Sequence, residues 1–218
     1  MNTLTELAFI LDRSGSMAGL VDDTLGGYNS MLEKQRNLYS DCRITTVLFD
    51  HEIQILHDRL DIRLVTPVTR EQYQPRGNTA LLDAMGTTIN RLGAIQQYTP
   101  PAQRAERVMV VIVTDGMEND SRQYSLGQVR KMVERQQQRF GWEFIFLGAN
   151  MDAIDVARTY GIQADKASNY VADKQGAELN YKTLALAVTR FRRGDRDFHK
   201  ELDSIRRDEQ QRGGRYGR

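Results

Sequence analysis

The chain has 218 residues, 40% hydrophobic and 27% charged, with a formal net charge of +1. This length supports one large domain, or a domain with an appendage, and the apolar share is enough for a core. A near-neutral balance gives no overall electrostatic case for nucleic acid or an anionic membrane, and the single Cys42 excludes an internal disulfide framework.

The N-terminal MNTLTELAFILD has no basic segment, and its apolar run is too short for a signal peptide. No window reaches the length of a membrane span. A cytoplasmic globular protein is therefore expected, with the lone cysteine suiting a reducing compartment. Residues 4–12 predict a buried strand that stops at Asp12, followed by the turn Ser14-Gly15-Ser16. Val21, Leu25, Tyr28, Leu32 and Gln35 then recur at helical spacing, with Asp22 and Asp23 in the favourable first turn. Gly26-Gly27 weakens that helix or marks a close approach of its backbone.

CRITTVLFD (42–50) and IQILHDRL (53–60) predict two strands, and the short join Asp50-His51-Glu52 predicts that they form an antiparallel hairpin. A loop punctuated by Pro67, Pro75 and Gly77 leads to a helix through Leu81, Met85, Thr88, Ile89 and Leu92, with Asp83 in its first turn. RVMVVIVT (107–114) is the most apolar strand candidate and ends at Asp115-Gly116. A helix over 126–138, a strand over 142–147 and helices over 152–160 and 176–192 follow. The second of these helices carries Leu179, Leu184, Leu186, Val188 and Phe191. Alternating strands and helices predict an α/β sheet covered on both faces, with the hairpin supplying one antiparallel strand. The domain is expected over 1–192. Residues 193–218 are expected to add a helix striped by Phe198, Leu202 and Ile205, then a basic, mobile end, RGGRYGR.

Ligands of open α/β sheets bind at the carboxyl ends of strands. Three oxygen-rich segments fall there: Asp12 to Ser16, Gly77-Asn78-Thr79 and Thr114-Asp115-Gly116. If the first strand and the apolar strand are neighbours, Asp12 and Asp115 converge with three hydroxyls. These are hard oxygen donors, with no histidine or thiolate among them, which points away from zinc and copper and toward Mg2+. Two carboxylates neutralise a divalent ion without surrounding it, leaving room for an acidic oxygen from outside. Each segment also has a plainer reading. Asp12, Ser14 and Ser16 can form a turn bonded to local backbone. Thr79, or Asn78 in its place, can be a helix N-cap. Asp115-Gly116 can simply end a strand, with Glu118, Asn119 and Asp120 shaping the rim or forming a solvated loop.

The set Asp12-x-Ser14-x-Ser16, then Thr79 in RGNTALLDAM, then Asp115 in VTDGMEND resembles the von Willebrand factor A domain with its metal-ion-dependent adhesion site (MIDAS). The resemblance covers roughly residues 4–160. It implies a doubly wound, Rossmann-like, mostly parallel sheet with one antiparallel edge strand and helices on both faces. It also implies Mg2+, or Mn2+ in its place, held by Asp12, Ser14, Ser16, Thr79 and Asp115, and a protein partner whose Glu or Asp completes the coordination. TDGMENDS and GWEFIFLGAN are similar to segments of small stand-alone bacterial members. Arg13 departs from the small or polar residue common at that position. Its charge is expected to lower cation affinity slightly or to attract an acidic partner.

Other readings rank below this one. His51 and His57 lack an evident third zinc ligand and fit ordinary surface or packing roles. Cys42 reads as a small buried residue, and Trp142, Phe144 and Phe146 as core. A Mg2+-dependent phosphatase using Asp12 as nucleophile would want a second carboxylate two residues on, where Ser14 stands. No base is placed to activate Ser14, so no catalytic residue is assigned. RNA binding through the RGGRYGR end is the remaining alternative.

Overall fold

The computed structural model describes residues 4–212. Six strands form one sheet: β1 (Thr5–Asp12), β2 (Cys42–Phe49), β3 (Ile53–Asp61), β4 (Arg107–Thr114), β5 (Glu143–Gly148) and β6 (Ala167–Asn169). They are ordered β3-β2-β1-β4-β5-β6. Every neighbouring pair is parallel except β2 and β3, which form the hairpin. Six α-helices among the described residues, with short 3-10 turns between elements, complete the fold: α1 (Val21–Arg36), α2 (Leu81–Tyr98), α3 (Leu126–Phe140), α4 (Ala153–Thr159), α5 (Lys174–Arg192) and α6 (Asp203–Arg212).

β1 is buried along its whole length because it is central and covered on both faces. Its side chains alternate between two cores. Leu7, Phe9 and Leu11 join α1, α5 and α6 on one face. Ala8 and Ile10 join α2, α3 and α4 on the other. Cys42, Trp142, Phe144 and Phe146 are buried as the sequence indicated.

The topology places the functional end. From β1 the chain steps outward to β2 and β3, then crosses back through α2 to β4 on the other side of β1. Strand order therefore reverses between β1 and β4, and Leu11 lies opposite Val113. A crevice at the carboxyl ends of these two strands is the expected binding position of such sheets.

Some details differ from the sequence reading. β6 spans only three residues, too short to show an apolar pattern, and it was not anticipated. Leu186, assigned to the apolar stripe of α5, is half exposed, whereas Asn180 and Arg192 of the same helix are buried. Gly27 is the glycine of close approach: a Cβ there would lie 2.4 Å from Cδ2 of Tyr181 on α5, while one on Gly26 would meet nothing within 4 Å. Phe198, Leu202 and Ile205 are buried in the same core as α1 and α5. The RGGRYGR end beyond Arg212 lies outside the described residues.

Candidate metal centre

β1 delivers Asp12 to the crevice and the chain then turns sharply. Arg13 N–H donates to Phe49 O at 2.8 Å, which continues the pairing with β2. Ser14 N–H donates back to Asp12 Oδ1 at 2.7 Å. Asp12 Oδ2 accepts from the Thr114 hydroxyl at 2.5 Å, and the Tyr73 hydroxyl donates to the Asp12 carbonyl. Ser14 is extended and Met17 N–H closes on its carbonyl, starting a short 3-10 turn over Gly15–Leu20. The hydroxyls of Ser14 and Ser16 are thereby brought to 3.1 Å from one another. Ser16 Oγ in turn donates to Asp115 Oδ1 at 2.5 Å.

Thr79 arrives from the loop before α2. Gly77, at φ +61°, turns its carbonyl to accept from Gly15 N–H at 3.1 Å, so this loop is fastened to the serine turn. Thr79 does not cap α2, and neither does Asn78; the N-cap position is Ala80, with no side-chain bond. The orphan N–H groups of a helix start need partners, and here the loop after β4 supplies them. Leu82 N–H donates to Glu118 and Asp83 N–H to the Ser121 hydroxyl. Asn119 accepts from Thr79 N–H at 2.9 Å and donates its own N–H to Thr79 O. Asp83 answers by accepting from the N–H groups of Arg122, Gln123 and Tyr124. Glu118 and Asn119 are thus structural fasteners rather than a solvated loop, and the Thr79 hydroxyl is released from capping.

One point in space gathers the hydroxyls. A Cβ built on Gly116 would lie 3.1 Å from Thr79 Oγ1, 3.5 Å from Ser16 Oγ and 3.8 Å from Ser14 Oγ. Glycine keeps that space open.

Burial pushes the Asp12 carboxyl up to about 6, against the opposing bonds from Thr114 and Ser14, and the neighbouring Asp115 adds to the rise. Burial also raises Asp115, with the Ser16 bond opposing. Among the described residues, neither carboxylate is paired with a lysine, arginine or histidine. Two buried carboxylates at adjacent strand ends, without a counter-ion among the described residues, need a cation or a proton. All donors at the crevice are oxygens, the set that hard divalent cations prefer. The residues present therefore fit a divalent ion.

Arg13 does not supply the missing charge. It is buried and directed away, with Nε donating to Asp50 Oδ2 at 2.9 Å and Nη1 to Gln54 Oε1 at 2.6 Å. This corrects the expectation that its charge faces the ion or an approaching partner. His57 is buried against the Thr46 hydroxyl, an ordinary packing role. Asp50, His51 and Glu52 cluster closely enough to suggest a separate metal site. However, Arg76 already sits on both of those carboxylates, at 2.9 Å from Asp50 and 2.5 Å from Glu52.

Tyr73 and Thr114 also serve the centre; the sequence places Thr114 in an oxygen-rich strand end without giving it this role, and it does not point to Tyr73. Thr114 carried a signal, since it ends the apolar strand beside Asp115. Tyr73, in an irregular loop, carried none.

No protein-family model and no curated protein matches the chain. Solved structures do. The vWF domain of the type V pili tip protein Mfa5 from Porphyromonas gingivalis is similar with a TM-score of 0.61 at 9% identity, over 87% of this chain and 96% of that one. The fold is that of a von Willebrand factor A domain. A von Willebrand factor type A protein from Catenulispora acidiphila matches with a TM-score of 0.56 at 13% identity, over 83% of this chain and 42% of its own. Proximal thread matrix protein 1 from the mussel byssus, solved with a zinc-occupied MIDAS motif, matches with a TM-score of 0.57 at 13% identity, over 83% and 44%. The chain spans less than half the length of these last two proteins. The vWA fold thus accommodates a divalent metal in at least one neighbour. Among the described residues of this chain, no helix is long and apolar enough to cross a membrane.

Proposed function

We propose that this chain is a divalent-cation-dependent protein-binding module. Asp12, Ser14, Ser16, Thr79 and Asp115 hold Mg2+, or Mn2+ in its place, at the carboxyl ends of β1 and β4. When bound, the ion supplies a Lewis-acidic position for one further oxygen, and an acidic side chain of a protein partner completes it. The observation that carries this reading is the pair of buried carboxylates, Asp12 and Asp115, that lack a counter-ion among the described residues and lie beside three convergent hydroxyls. Two negative charges neutralise a divalent ion, and the hydroxyls contribute no charge, so the ion retains affinity for an outside carboxylate.

The same geometry disfavours an Asp12 nucleophile. Both Asp12 oxygens are tethered, one to Ser14 N–H and one to Thr114, and a carboxylic acid for the leaving group is missing where Ser14 stands. We therefore read the chain as non-enzymatic. The buried, free Cys42 thiol suits a cytoplasmic setting.

The test is thermal unfolding with Mg2+ and with EDTA, followed by affinity capture under both conditions. A ligand of the folded state raises the melting temperature. Asp12→Ala should keep the fold and lose the rise, and protein partners should elute with EDTA. A folded wild-type chain that ignores Mg2+ and Mn2+ would overturn the proposal.

A further inference from the structure

We infer that Asp50, which belongs to none of the five ligand positions, is the positioning residue that sets the cation affinity of the centre. It acts by locking together the loops that carry Ser14, Ser16 and Thr79. The inference rests on the reading of that centre as a cation site.

Asp50 directly follows β2 and is fully buried. Its carboxylate is saturated: Oδ2 accepts from Arg13 Nε and from Arg76 Nε, each at 2.9 Å. Oδ1 accepts from Glu52 N–H at 2.7 Å and lies 3.2 Å from His51 Nδ1. Burial pushes this carboxyl up, but the Glu52 N–H and the Arg76 and Arg13 guanidinium groups outweigh it and leave it below the usual range. Its backbone is engaged as well, with Asp50 O accepting from Ala80 N–H at 2.8 Å.

These bonds reach both ligand loops. Arg13 lies between Asp12 and Ser14, so its side chain fixes the turn that presents the two serines. Arg76 and Ala80 flank Gly77 to Thr79, so their bonds to Asp50 fix the segment that presents the Thr79 hydroxyl. Arg76 N–H also donates to Arg13 O at 3.0 Å, which joins the loops to each other. One side chain thus holds both loops against the end of β2. Groups that orient ligands in this way commonly set metal affinity although they never touch the ion.

Charge adds a second route. Arg13 is a buried cation one residue from Asp12, and Asp50 is its only carboxylate partner among the described residues. Without Asp50, Arg13 becomes a buried cation with no carboxylate partner, held only by Gln54 Oε1 and Gln72 O. Its side chain would then have to rearrange, and the serine turn with it.

Titration calorimetry with Mg2+ and electron paramagnetic resonance of bound Mn2+ test this on the full chain. The set is wild type, Asp50→Asn, Arg13→Gln, the Arg13→Gln/Asp50→Asn double variant and Arg76→Gln. Cation-free melting is recorded alongside to separate affinity from stability. Asp50→Asn is expected to weaken Mg2+ binding by about 10- to 100-fold, and Arg76→Gln by a few-fold. The double variant should bind no more weakly than Asp50→Asn, because both residues act through one clamp. Arg76 is half exposed and the double variant leaves no unpaired buried arginine, so these two decide the matter should Asp50→Asn fail to fold. Affinities of Asp50→Asn and Arg76→Gln within twofold of wild type would overturn the inference. So would additive losses in the double variant, or a lower melting temperature with unchanged affinity. All three leave the cation site itself standing, whereas a wild type that binds neither ion removes the site and the clamp together.

Discussion

Ser16 and Asp115 are separated by 99 positions in the chain, yet the serine hydroxyl donates to Oδ1 of the aspartate at 2.5 Å across the top of the sheet. The contact exists because β1 and β4 are adjacent and parallel, so their carboxyl ends open on the same crevice. It also holds a hydroxyl and a carboxylate side by side in the order a hard cation would use them.

Asp115→Asn keeps an oxygen for Ser16 and removes the charge. At a cation concentration about 100 times Kd, binding adds about 2.7 kcal/mol to wild-type stability. In a chain of this size that is a rise of roughly 5–10 °C. The variant should lose the rise, and its cation-free melting temperature should match or exceed that of wild type, since a buried unpaired charge is gone. Scanning fluorimetry with Mg2+ and with EDTA reads both.

Asp12 sets a pH dependence whose sign is fixed by burial. Its folded value is about 6 against an ordinary 3.8. Between about pH 4 and 6 the folded chain therefore holds more protons than the unfolded chain, and stability falls as pH rises through that window. A bound divalent ion removes the penalty. The Mg2+-induced gain should grow from pH 4.5 to 6.5 and level off above about 7. The wild-type minus Asp12→Asn difference in cation-free melting should fall over the same interval. Buried Glu6 is also raised, and that subtraction cancels its contribution.

Gly116→Ala would put a methyl group 3.1 Å from Thr79 Oγ1, in the space the three hydroxyls share. Mg2+ affinity should drop by about tenfold, or roughly 1.4 kcal/mol, with little change in cation-free stability. Calorimetric titration of the purified variant gives the number.

The glycine pair of α1 should respond in opposite directions. Gly27→Ala meets Tyr181 at 2.4 Å and should cost about 1–3 kcal/mol through overpacking. Gly26→Ala meets nothing and should gain up to about 1 kcal/mol in helix propensity. Urea unfolding of the two variants separates them.

Much of the fold was legible because its signals are local. RVMVVIVT has to be a strand buried on both faces, and β-branched residues either side of Asp50-His51-Glu52 have to form a hairpin. The adjacency of β1 and β4 is not legible in the sequence, since pairing between strands about 100 residues apart leaves no periodic trace. The same limit hid the direction of Arg13. A lone arginine beside a ligand motif reads as a charge at the site until Asp50, 37 residues away, is seen to take it. It also hid the duty of Glu118 and Asn119, which look like solvated loop residues until the start of α2 is found against them. Three-residue β6 fell below the length at which any pattern shows. The five proposed ligand positions were readable as a motif, and the structure brings their side chains to one crevice. Tyr73, which bonds to the Asp12 carbonyl from an irregular loop, became visible only in three dimensions.

The lacing between the loop after β4 and the start of α2 has a consequence for how such a surface can diversify. Glu118, Asn119 and Ser121 are committed inward as fasteners, and the N–H groups of Arg122, Gln123 and Tyr124 are fixed on Asp83. Met117, at 63% exposed, and the Arg122 side chain, at 83%, project outward from that segment. Drift in this loop can alter these outward side chains freely, but it cannot touch their inward neighbours without unseating Thr79. Were proteins to dock here as proposed, discrimination between them at this edge would fall to a handful of outward side chains, Gln123 included.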